Sequence, residues 1–391
     1  MNETIPPVRP SAIAGYEDWP GWVRQHPRYQ AYGPAAQELS AALGVPGPSV
    51  PVDLQVHWED THDGVTTSQL SWQLGFGPRT TGWLVRPAGS SKPLPGVLAL
   101  HCHGGNKFGG ADRLVELPRT HPSAAAARAG HYDGHALATD VARQGFAVLA
   151  HDTFGWGSRR FDLADPPWRT ASGLAARKAQ WREDGVEPSE ADLYNAAAGF
   201  HEDTVAKAAG LLGTSLAGMV AHDDLAALEV LAALPEVSQD RLGCIGFSGG
   251  GGRSLTLAAL SPRIRTYVVT CMMTTFRSLL PAYLDAHSWL LQTPGLWKLG
   301  DWPELTTRSG AGSFLVQYAL ADPLFPEAGM RDAHGKLESL HPRGAYTGSF
   351  WPGGHVFTAR MQHEATSFLA AALDARGSDR RPLPAFQPPS H

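Results

Sequence analysis

The sequence predicts an α/β fold, in which a mostly parallel, twisted sheet of about eight strands begins with antiparallel strands and carries helices on both faces. Between residues 97 and 320, short continuous apolar runs alternate with helical stretches, which is typical of parallel strands buried on both faces. Before residue 90, apolar and polar residues alternate, which is typical of antiparallel strands with one solvent-exposed face. These patterns predict one large α/β domain over residues 51–376.

Residues 1–50 are rich in proline, tryptophan and tyrosine, and a helix is expected at residues 35–43. We expect this stretch to form an N-terminal extension that lies over the core. Alternating segments follow at residues 54–58, 66–72 and 81–85. They are expected to be the antiparallel strands.

The apolar runs further along the chain have the composition of strands buried on both faces. They lie at residues 97–100, 146–150, 242–245, 267–271 and 314–320, and a last strand is expected at residues 346–351. Helical stretches lie between most of them, at residues 135–144, 216–234, 327–340 and 358–373. Because parallel strands need crossover connections, this order favours a parallel sheet.

The stretch at residues 153–212 is too long for a plain loop, and helices are expected within it at residues 169–184 and 189–212. Ser189 and Asp192 have the spacing of a capping box at the start of the second helix. An insertion at this point of the chain would lie over the carboxyl ends of the strands. We therefore expect a helical lid.

The composition argues against several classes of partner. The formal charge of −5 is slight, and the sequence has neither a basic stripe for nucleic acid nor a polybasic patch for a membrane surface. No apolar run approaches a membrane span, and the N-terminus lacks a secretory pattern. Cys102, Cys244 and Cys271 lie in or beside expected buried strands, so we expect a cytoplasmic location. The proline-rich tail at residues 377–391 is expected to be disordered.

A glycine-rich turn from Gly246 to Gly250 follows one of the buried runs and precedes a helix. The turn fits the pattern G-x-S-x-G, which lifts a serine hydroxyl, here that of Ser248, above the end of a parallel sheet. A side chain two residues to either side of that serine would collide with the strand or the helix. With 43 glycines in the chain the pattern alone is weak, and a phosphate-cradling turn is the simpler alternative.

Two further residues complete a nucleophile, base and acid set in the chain order Ser, Asp, His. Asp322 directly follows the strand at residues 314–320, and His355 follows the strand at residues 346–351 in a loop with two glycines. A serine hydroxyl needs such a base, and the base needs an orienting carboxylate. The less well placed alternatives are Asp285 and Asp301 for the acid, and His334 and His363 for the base.

The predicted oxyanion hole has two backbone donors. One is the N–H of Gly249, at the positive end of the helix that follows the nucleophile. The other comes from the loop at residues 101–110, where we favour Gly105, with Asn106 next. Each such donor is typically worth about 3 kcal/mol of transition-state stabilisation.

Aromatic residues near the ends of the strands are the candidates for the wall of a substrate pocket. We predict Phe108, Trp156 and Trp351 in that role, although core packing is at least as good an explanation for each. Arg159 could meet a substrate carboxylate, but a surface ion pair is the simpler role.

The sequence His101-Cys102-His103 raises the question of a metal site, since imidazole and thiolate are zinc ligands. Consecutive side chains at a strand end point to opposite sides, so the cysteine could not join both histidines on one face. We therefore predict no metal.

The motifs taken in series resemble the dienelactone-hydrolase and acetyl-xylan-esterase-like branch of the α/β-hydrolases. They are His103-Gly104-Gly105, Asp152-x-x-Gly155-x-Gly157-Ser158, Pro235-Glu-Val-x-x-Asp240-Arg-Leu-Gly243, Gly246-Phe-Ser-Gly-Gly250, Asp322 and Gly354-His355. The resemblance implies an α/β-hydrolase fold and a serine esterase without metal or organic cofactor. It assigns the catalytic roles to Ser248, Asp322 and His355. The serine nucleophile disfavours a dienelactone as substrate.

The predicted activity is hydrolysis of a small-molecule carboxylic ester through an acyl-enzyme, with a short acyl group such as acetyl as the first expectation. Three alternatives stay open. They are a peptidase of the prolyl-oligopeptidase type, an acyltransferase or cyclase that uses the same acyl-enzyme, and a binding module on a retired hydrolase fold. A homo-oligomer also stays open.

Overall fold

The computed structural model describes residues 9–47 and 50–374, and a nine-stranded sheet runs through this part of the chain. The strands are β1 (Val52–His62), β2 (Val65–Gln73), β3 (Thr80–Pro87), β4 (Leu94–Leu100), β5 (Ala147–His151), β6 (Val237–Phe247), β7 (Ile264–Thr270), β8 (Ser313–Ala319) and β9 (Tyr346–Trp351). The helices before β6 are α1 (Trp19–Gln25), α2 (Pro34–Leu43), α3 (Pro122–His131), α4 (Leu137–Arg143), α5 (Trp168–Glu183), α6 (Glu190–Leu211) and α7 (Leu216–Ala233). Those after β6 are α8 (Gly249–Leu260), α9 (Phe276–Leu279), α10 (Trp302–Leu305), α11 (Glu327–Leu340) and α12 (Ala359–Asp374).

The strand order across the sheet is β1-β2-β3-β5-β4-β6-β7-β8-β9. The β1–β2, β2–β3 and β3–β5 pairs are antiparallel. The β5–β4, β4–β6, β6–β7, β7–β8 and β8–β9 pairs are parallel. The prediction of a mostly parallel sheet with an antiparallel N-terminal part is confirmed.

Strand register brings the ends of distant strands together. In the β4–β6 pair, Leu100 lies opposite Gly246, so the loop that follows β4 runs beside the turn that follows β6. In the β8–β9 pair, Ala319 lies opposite Trp351, so the loops that follow these two strands also run side by side. All four loops lie at the carboxyl edge of the sheet, where open α/β sheets bind their ligands.

The two faces of the sheet are covered by different helices. Along β4, Leu98 and Leu100 pack in the cluster that contains α7 and α8, whereas Val97 and Ala99 pack in the cluster that contains α4 and α12. Successive side chains of a strand point to opposite faces, and both faces here are buried. This explains why the parallel strands appear in the sequence as continuous apolar runs.

The N-terminal region contributes large side chains to the core. Tyr16 and Trp19 are fully buried, and both rings contact Phe154, with centroid distances of 5.0 and 5.1 Å. The region therefore packs against the turn that follows β5, at the start of the 153–212 insertion.

Helices α5 and α6 lie within the insertion, close to the predicted bounds. The capping box at the start of α6 is confirmed, since the Ser189 N–H donates to the Asp192 carboxylate and the Asp192 N–H donates to the Ser189 hydroxyl. A lid function for this insertion stays a prediction. In the described residues no single helix is long and apolar enough to cross a membrane, and α6 with α7 passes that test only as a pair bent by 83°.

Helices α1, α3, α9 and α10 were not predicted from the sequence. Helix α3 is built mainly from alanine, so it has no stripe of large apolar side chains that would indicate a helix. Helices α9 and α10 have only four residues each, too few for a period to show. The predicted disordered tail at residues 377–391 lies outside the described residues.

Candidate active site

Ser248 lies in the sharp turn between β6 and α8. Its backbone has φ 56° and ψ −123°, a conformation that residues other than glycine rarely adopt. A Cβ on Gly246 would collide with the carbonyl of Gly250, and a Cβ on Gly250 would collide with the carbonyl of Leu100 in β4. Glycine is therefore required two residues to either side of the serine, as predicted.

The loops after β8 and β9 bring Asp322 and His355 to this serine. The Nε2 atom of His355 lies 2.8 Å from Ser248 Oγ, and its Nδ1 atom lies 2.6 Å from Asp322 Oδ2. The other carboxylate oxygen of Asp322 accepts the Leu324 N–H at 2.9 Å. An anionic carboxylate can only accept, so Nδ1 of the imidazole carries the proton and Nε2 accepts from the serine hydroxyl.

The surroundings of His355 are mostly apolar. Its ring lies between Phe247 and Phe325, with centroid distances of 4.7 and 6.0 Å. The nearby His131 and His287 both have a lowered pKa, because burial and the charge that His355 can carry disfavour their protonated forms. The two imidazoles beside the base are therefore held in their neutral forms.

The predicted oxyanion donors have different surroundings in the structure. Gly249 is the first residue of α8, where a backbone N–H has no helix carbonyl within reach, as the prediction requires. The Gly105 N–H donates to Nδ1 of His103 at 3.1 Å. Gly104 and Gly105 both have positive φ, 57° and 61°, and this curl directs the amide back to the His103 ring. The Gly105 N–H is thus engaged inside its own loop, and its role as an oxyanion donor stays a prediction.

Residues 101–110, which we call the oxyanion loop, are held in place by hydrogen bonds from buried guanidinium groups. Arg253, in the first turn of α8, donates to the His101 carbonyl at 3.0 Å and forms a bidentate pair with Asp224 at 3.0 and 2.7 Å. Arg113 donates to the Asn106 carbonyl at 2.6 Å. The nucleophile helix and the oxyanion loop are therefore joined directly.

Glu202, on α6, is a buried residue of this region that sequence reasoning missed. Its carboxylate contacts the side chains of His103 and Lys107 on the oxyanion loop and Ser288 on the facing chain segment. Burial alone would raise the pKa of Glu202, but the Lys107 ammonium and the His103 imidazole outweigh burial and lower it. No local sequence signal points to this cluster, because Glu202 lies more than 80 residues in the chain from His103 and from Ser288.

The structure does not bring the three predicted pocket residues together. Trp156 is buried beneath the oxyanion loop, edge-on to His103 at 5.2 Å, with the Lys107 ammonium 4.6 Å from its ring centroid. Phe108 packs under the guanidinium of Arg160. These two rings therefore support the loop.

The prediction for Trp351 is corrected. Its Nε1–H points toward α12, where it donates to Ser349 Oγ at 3.0 Å and to Glu364 at 3.3 Å. The ring packs in the cluster of α4 and α12, because Ser349 and Trp351 share that face of β9.

A cavity on the same side of the molecule as Glu202 lies between α6 and residues 280–292. It measures about 690 Å³, and its lining includes Glu202, Asp203, His287 and Trp289. It shares His287 and Trp289 with a second cavity of about 270 Å³, which is lined mainly by apolar and aromatic side chains. We call the two together the cleft. Apart from the residues of α6, its walls come from a stretch for which the sequence predicted no regular structure.

The remaining candidates have structural partners. Arg159 is fully buried and pairs with Asp223 at 3.1 Å, so the expectation of a surface ion pair is wrong. Asp301 caps α10, and Nδ1 of His334 lies 2.7 Å from the Tyr346 hydroxyl. In the described residues no group of three or more His, Cys, Asp or Glu side chains is arranged to hold a metal ion. Nδ1 of His101 bonds to the Cys102 carbonyl.

Comparison with known proteins supports the same family as the motifs. A family model described as acetyl xylan esterase (AXE1) matches residues 215–285, which include the Ser248 turn. YtaP of Bacillus subtilis (strain 168) is 26% identical over 296 residues, which cover 74% of this chain and 83% of YtaP.

Two solved structures resemble nearly the whole chain at lower identity. The glucuronoyl esterase from Solibacter usitatus has a TM-score of 0.57 and 14% identity, and the match covers 94% of this chain and 98% of that one. Acetyl xylan esterase 1 from Thermoanaerobacterium sp. JW/SL YS485 has a TM-score of 0.52 and 18% identity, with coverage of 90% and 98%. These findings confirm the α/β-hydrolase fold and the resemblance to its acetyl-xylan-esterase-like branch.

Proposed function

We propose that this protein is a serine esterase that cleaves a small carboxylic ester through an acyl-enzyme, with Ser248, His355 and Asp322 as its catalytic triad. The observation that carries the proposal is the unbroken hydrogen-bond chain from Ser248 Oγ through the His355 imidazole to Asp322, at 2.8 and 2.6 Å. The chain begins at a strained turn that exposes the hydroxyl to the carboxyl edge of the sheet.

In the first half-reaction, Ser248 Oγ attacks the ester carbonyl while Nε2 of His355 takes the hydroxyl proton. Asp322 holds Nδ1–H and stabilises the imidazolium cation that forms. His355 then gives the proton to the leaving alcohol, and the acyl group stays on the serine. In the second half-reaction, His355 activates a water molecule that releases the acid.

The oxyanion that forms during each attack needs hydrogen-bond donors. Gly249 supplies one N–H at the positive end of α8. We assign the second donor to Gly105, whose N–H keeps its bond to Nδ1 of His103 and also donates to the charged oxygen as a three-centre hydrogen bond. A charged acceptor makes the stronger hydrogen bond, so the N–H donates mainly to the oxygen in the transition state.

A short acyl group fits the space beside the nucleophile. Leu290 packs against the start of α8, where a Cβ built on Gly249 would lie only 3.1 Å from Leu290 Cδ2. An acetyl or similarly small acyl group is therefore the proposed substrate feature.

The test is a comparison of Ser248→Ala with the wild-type protein on p-nitrophenyl esters of increasing acyl length and on acetylated sugars. We expect turnover to fall by about 10³-fold or more in the variant, since the nucleophile is lost. Exposed Ser90, replaced in Ser90→Ala, is the matched control and should keep full activity. Near-normal ester cleavage by Ser248→Ala would contradict the proposal.

Two added measurements separate the alternatives that use the same triad. A peptide substrate assayed in parallel tests the peptidase alternative. Partition of the acyl group between water and an added alcohol tests acyl transfer. The cytoplasmic location stays a prediction, and all three cysteines are free and buried in the structure.

A further inference from the structure

We propose that Glu202 is a positioning residue for the oxyanion hole, acting through His103 on the N–H of Gly105. This inference rests on the proposed serine esterase function. It assigns to the 153–212 insertion, which carries Glu202 on α6, a direct part in arranging the reaction site.

The carboxylate of Glu202 is fully occupied by donors on two chain segments. Its Oε2 atom lies 3.1 Å from Nε2 of His103 and contacts the Lys107 ammonium, and both partners belong to the oxyanion loop. Its Oε1 atom accepts the Ser288 hydroxyl at 2.6 Å and the Trp289 N–H at 2.9 Å. Both oxygens therefore need to be acceptors.

This arrangement fixes the proton on the His103 ring. Because the Glu202 carboxylate can only accept, Nε2 of His103 carries the hydrogen and Nδ1 is left with a free lone pair. That lone pair accepts the Gly105 N–H at 3.1 Å. Two hydrogen bonds in series thus run from Glu202 to the amide that we assign to the oxyanion hole.

The surrounding contacts place the His103 end of this series beside Gly249, the residue after the nucleophile. The His103 backbone nitrogen lies 3.1 Å from the position of a Cβ on Gly249, and Leu290, two residues from Ser288, approaches Gly249 equally closely. Loss of the carboxylate would free both the oxyanion loop and the segment around Ser288. A donor misplaced by about 1 Å can cost about 10²-fold in rate.

A purely structural role explains the cluster less well. Buried ion pairs contribute little net stability, because desolvation of the charges offsets much of their attraction. The cluster instead specifies one tautomer and one loop conformation. An interaction that acts on the transition state lowers kcat when it is removed, whereas it leaves KM for a small substrate nearly unchanged.

The test measures kcat and KM for p-nitrophenyl acetate in Glu202→Ala, His103→Ala and the double variant, with each kcat divided by the number of active sites titrated by a fluorophosphonate. We expect Glu202→Ala to lower kcat per titrated site by about 10- to 100-fold and to change KM by less than about threefold. The double variant should lose no more than the larger single loss, because both residues act in one series. Glu202→Gln should behave like Glu202→Ala, since its NH₂ group would face a donor in either orientation.

Glu183→Gln removes an exposed carboxylate from the same insertion and is the matched control, with unchanged kcat expected. Titration of active sites removes any unfolded fraction from the comparison. A kcat per titrated site within twofold of wild type in both Glu202 variants would overturn the proposal. Additive losses in the double variant would also overturn it.

A spectroscopic measurement separates this inference from the proposed function. Long-range ¹H–¹⁵N NMR correlation of the histidine rings should show His103 protonated on Nε2 in the wild type and a changed pattern in Glu202→Ala. Protonation of His103 on Nδ1 in the wild type would overturn the proposal even if the esterase is active. Conversely, the expected tautomer in a protein without ester cleavage would contradict only the catalytic assignment.

Discussion

The two sides of Ser248 are built in different ways. On one side, His355 and Asp322 sit on short loops after neighbouring parallel strands, and strand register alone brings those loops together. On the other side, the oxyanion loop is held by Glu202 from an insertion and by the segment around Ser288. The difference shows that the proton-transfer side depends on the sheet, whereas the oxyanion side depends on segments added to it.

The largest effect is expected from a variant that disrupts only the proton-transfer side. His355→Ala should lower kcat by about 10⁴-fold, because the serine loses its base while the oxyanion donors remain. The measurement is steady-state hydrolysis of p-nitrophenyl acetate, with circular dichroism to show that folding is intact. Replacement of the peripheral His363, in His363→Ala, is the control and should leave kcat unchanged. A loss below about tenfold in His355→Ala would remove this residue from the triad.

The next largest effect is expected at Arg253, which joins α8 to the oxyanion loop. Arg253→Met removes the guanidinium from buried Asp224, which keeps a contact with the His151 imidazole at 3.1 Å, and it releases the His101 carbonyl. The free energy of unfolding should therefore fall by about 3 to 5 kcal/mol. Urea unfolding followed by fluorescence measures it.

Arg159→Met provides the matched comparison, since it breaks the neighbouring buried pair with Asp223. That variant should lose similar stability but keep its kcat per titrated site, whereas Arg253→Met should lose both. Equal kcat values in the two variants would show that Arg253 does not position the oxyanion loop.

A smaller effect concerns the pH dependence of stability beneath the oxyanion loop. The pKa of Asp152 is raised from 3.8 to about 6, first by burial and then by the neighbouring Asp112. Between pH 3.8 and about 6 the folded state therefore binds more protons than the unfolded state. The free energy of unfolding rises as the pH falls through about 6, and this added stability disappears as the pH rises through the same value. The gain is at most about 3 kcal/mol.

Urea unfolding at pH 7, 6 and 5 measures this dependence. Asp152→Asn cannot titrate, so its stability should change less over the same range. An identical pH profile in the wild type and the variant would contradict the assignment to Asp152.

The smallest effect comes from comparing the same substitution at two tryptophans, one in the wall of the cleft and one on the opposite face of the sheet. Trp351→Phe removes an Nε1–H that donates to Ser349 and Glu364, so stability should fall by about 1 kcal/mol with kcat and KM unchanged. Trp289→Phe is the same substitution in the cleft wall and should raise KM for larger esters. A raised KM in Trp351→Phe would restore the predicted pocket role of that ring.

The sequence allowed the proton-transfer side to be predicted almost completely. The G-x-S-x-G turn has a steric cause that lies within five residues, and Asp322 and His355 each directly follow a recognisable strand. Strand ends at one edge of a parallel sheet must meet, so chain order was sufficient.

The oxyanion side could not be predicted to the same extent. Glu202 reaches partners more than 80 residues away, and no local period records such a contact. The direction of the Gly105 N–H depends on two glycines with positive φ, a conformation that no neighbouring residue specifies. Trp351 was misplaced because a position at the end of a strand does not by itself say which face the ring takes.

The location of Glu202 on α6 has a practical consequence for anyone who wishes to reshape this protein. The lid function predicted for residues 153–212 would suggest trimming them to admit bulkier molecules. The same cut would discard the carboxylate that anchors His103 and Ser288. A shortened protein would lose rate, and a designer would have to graft an equivalent anion onto whatever replaced the removed helices.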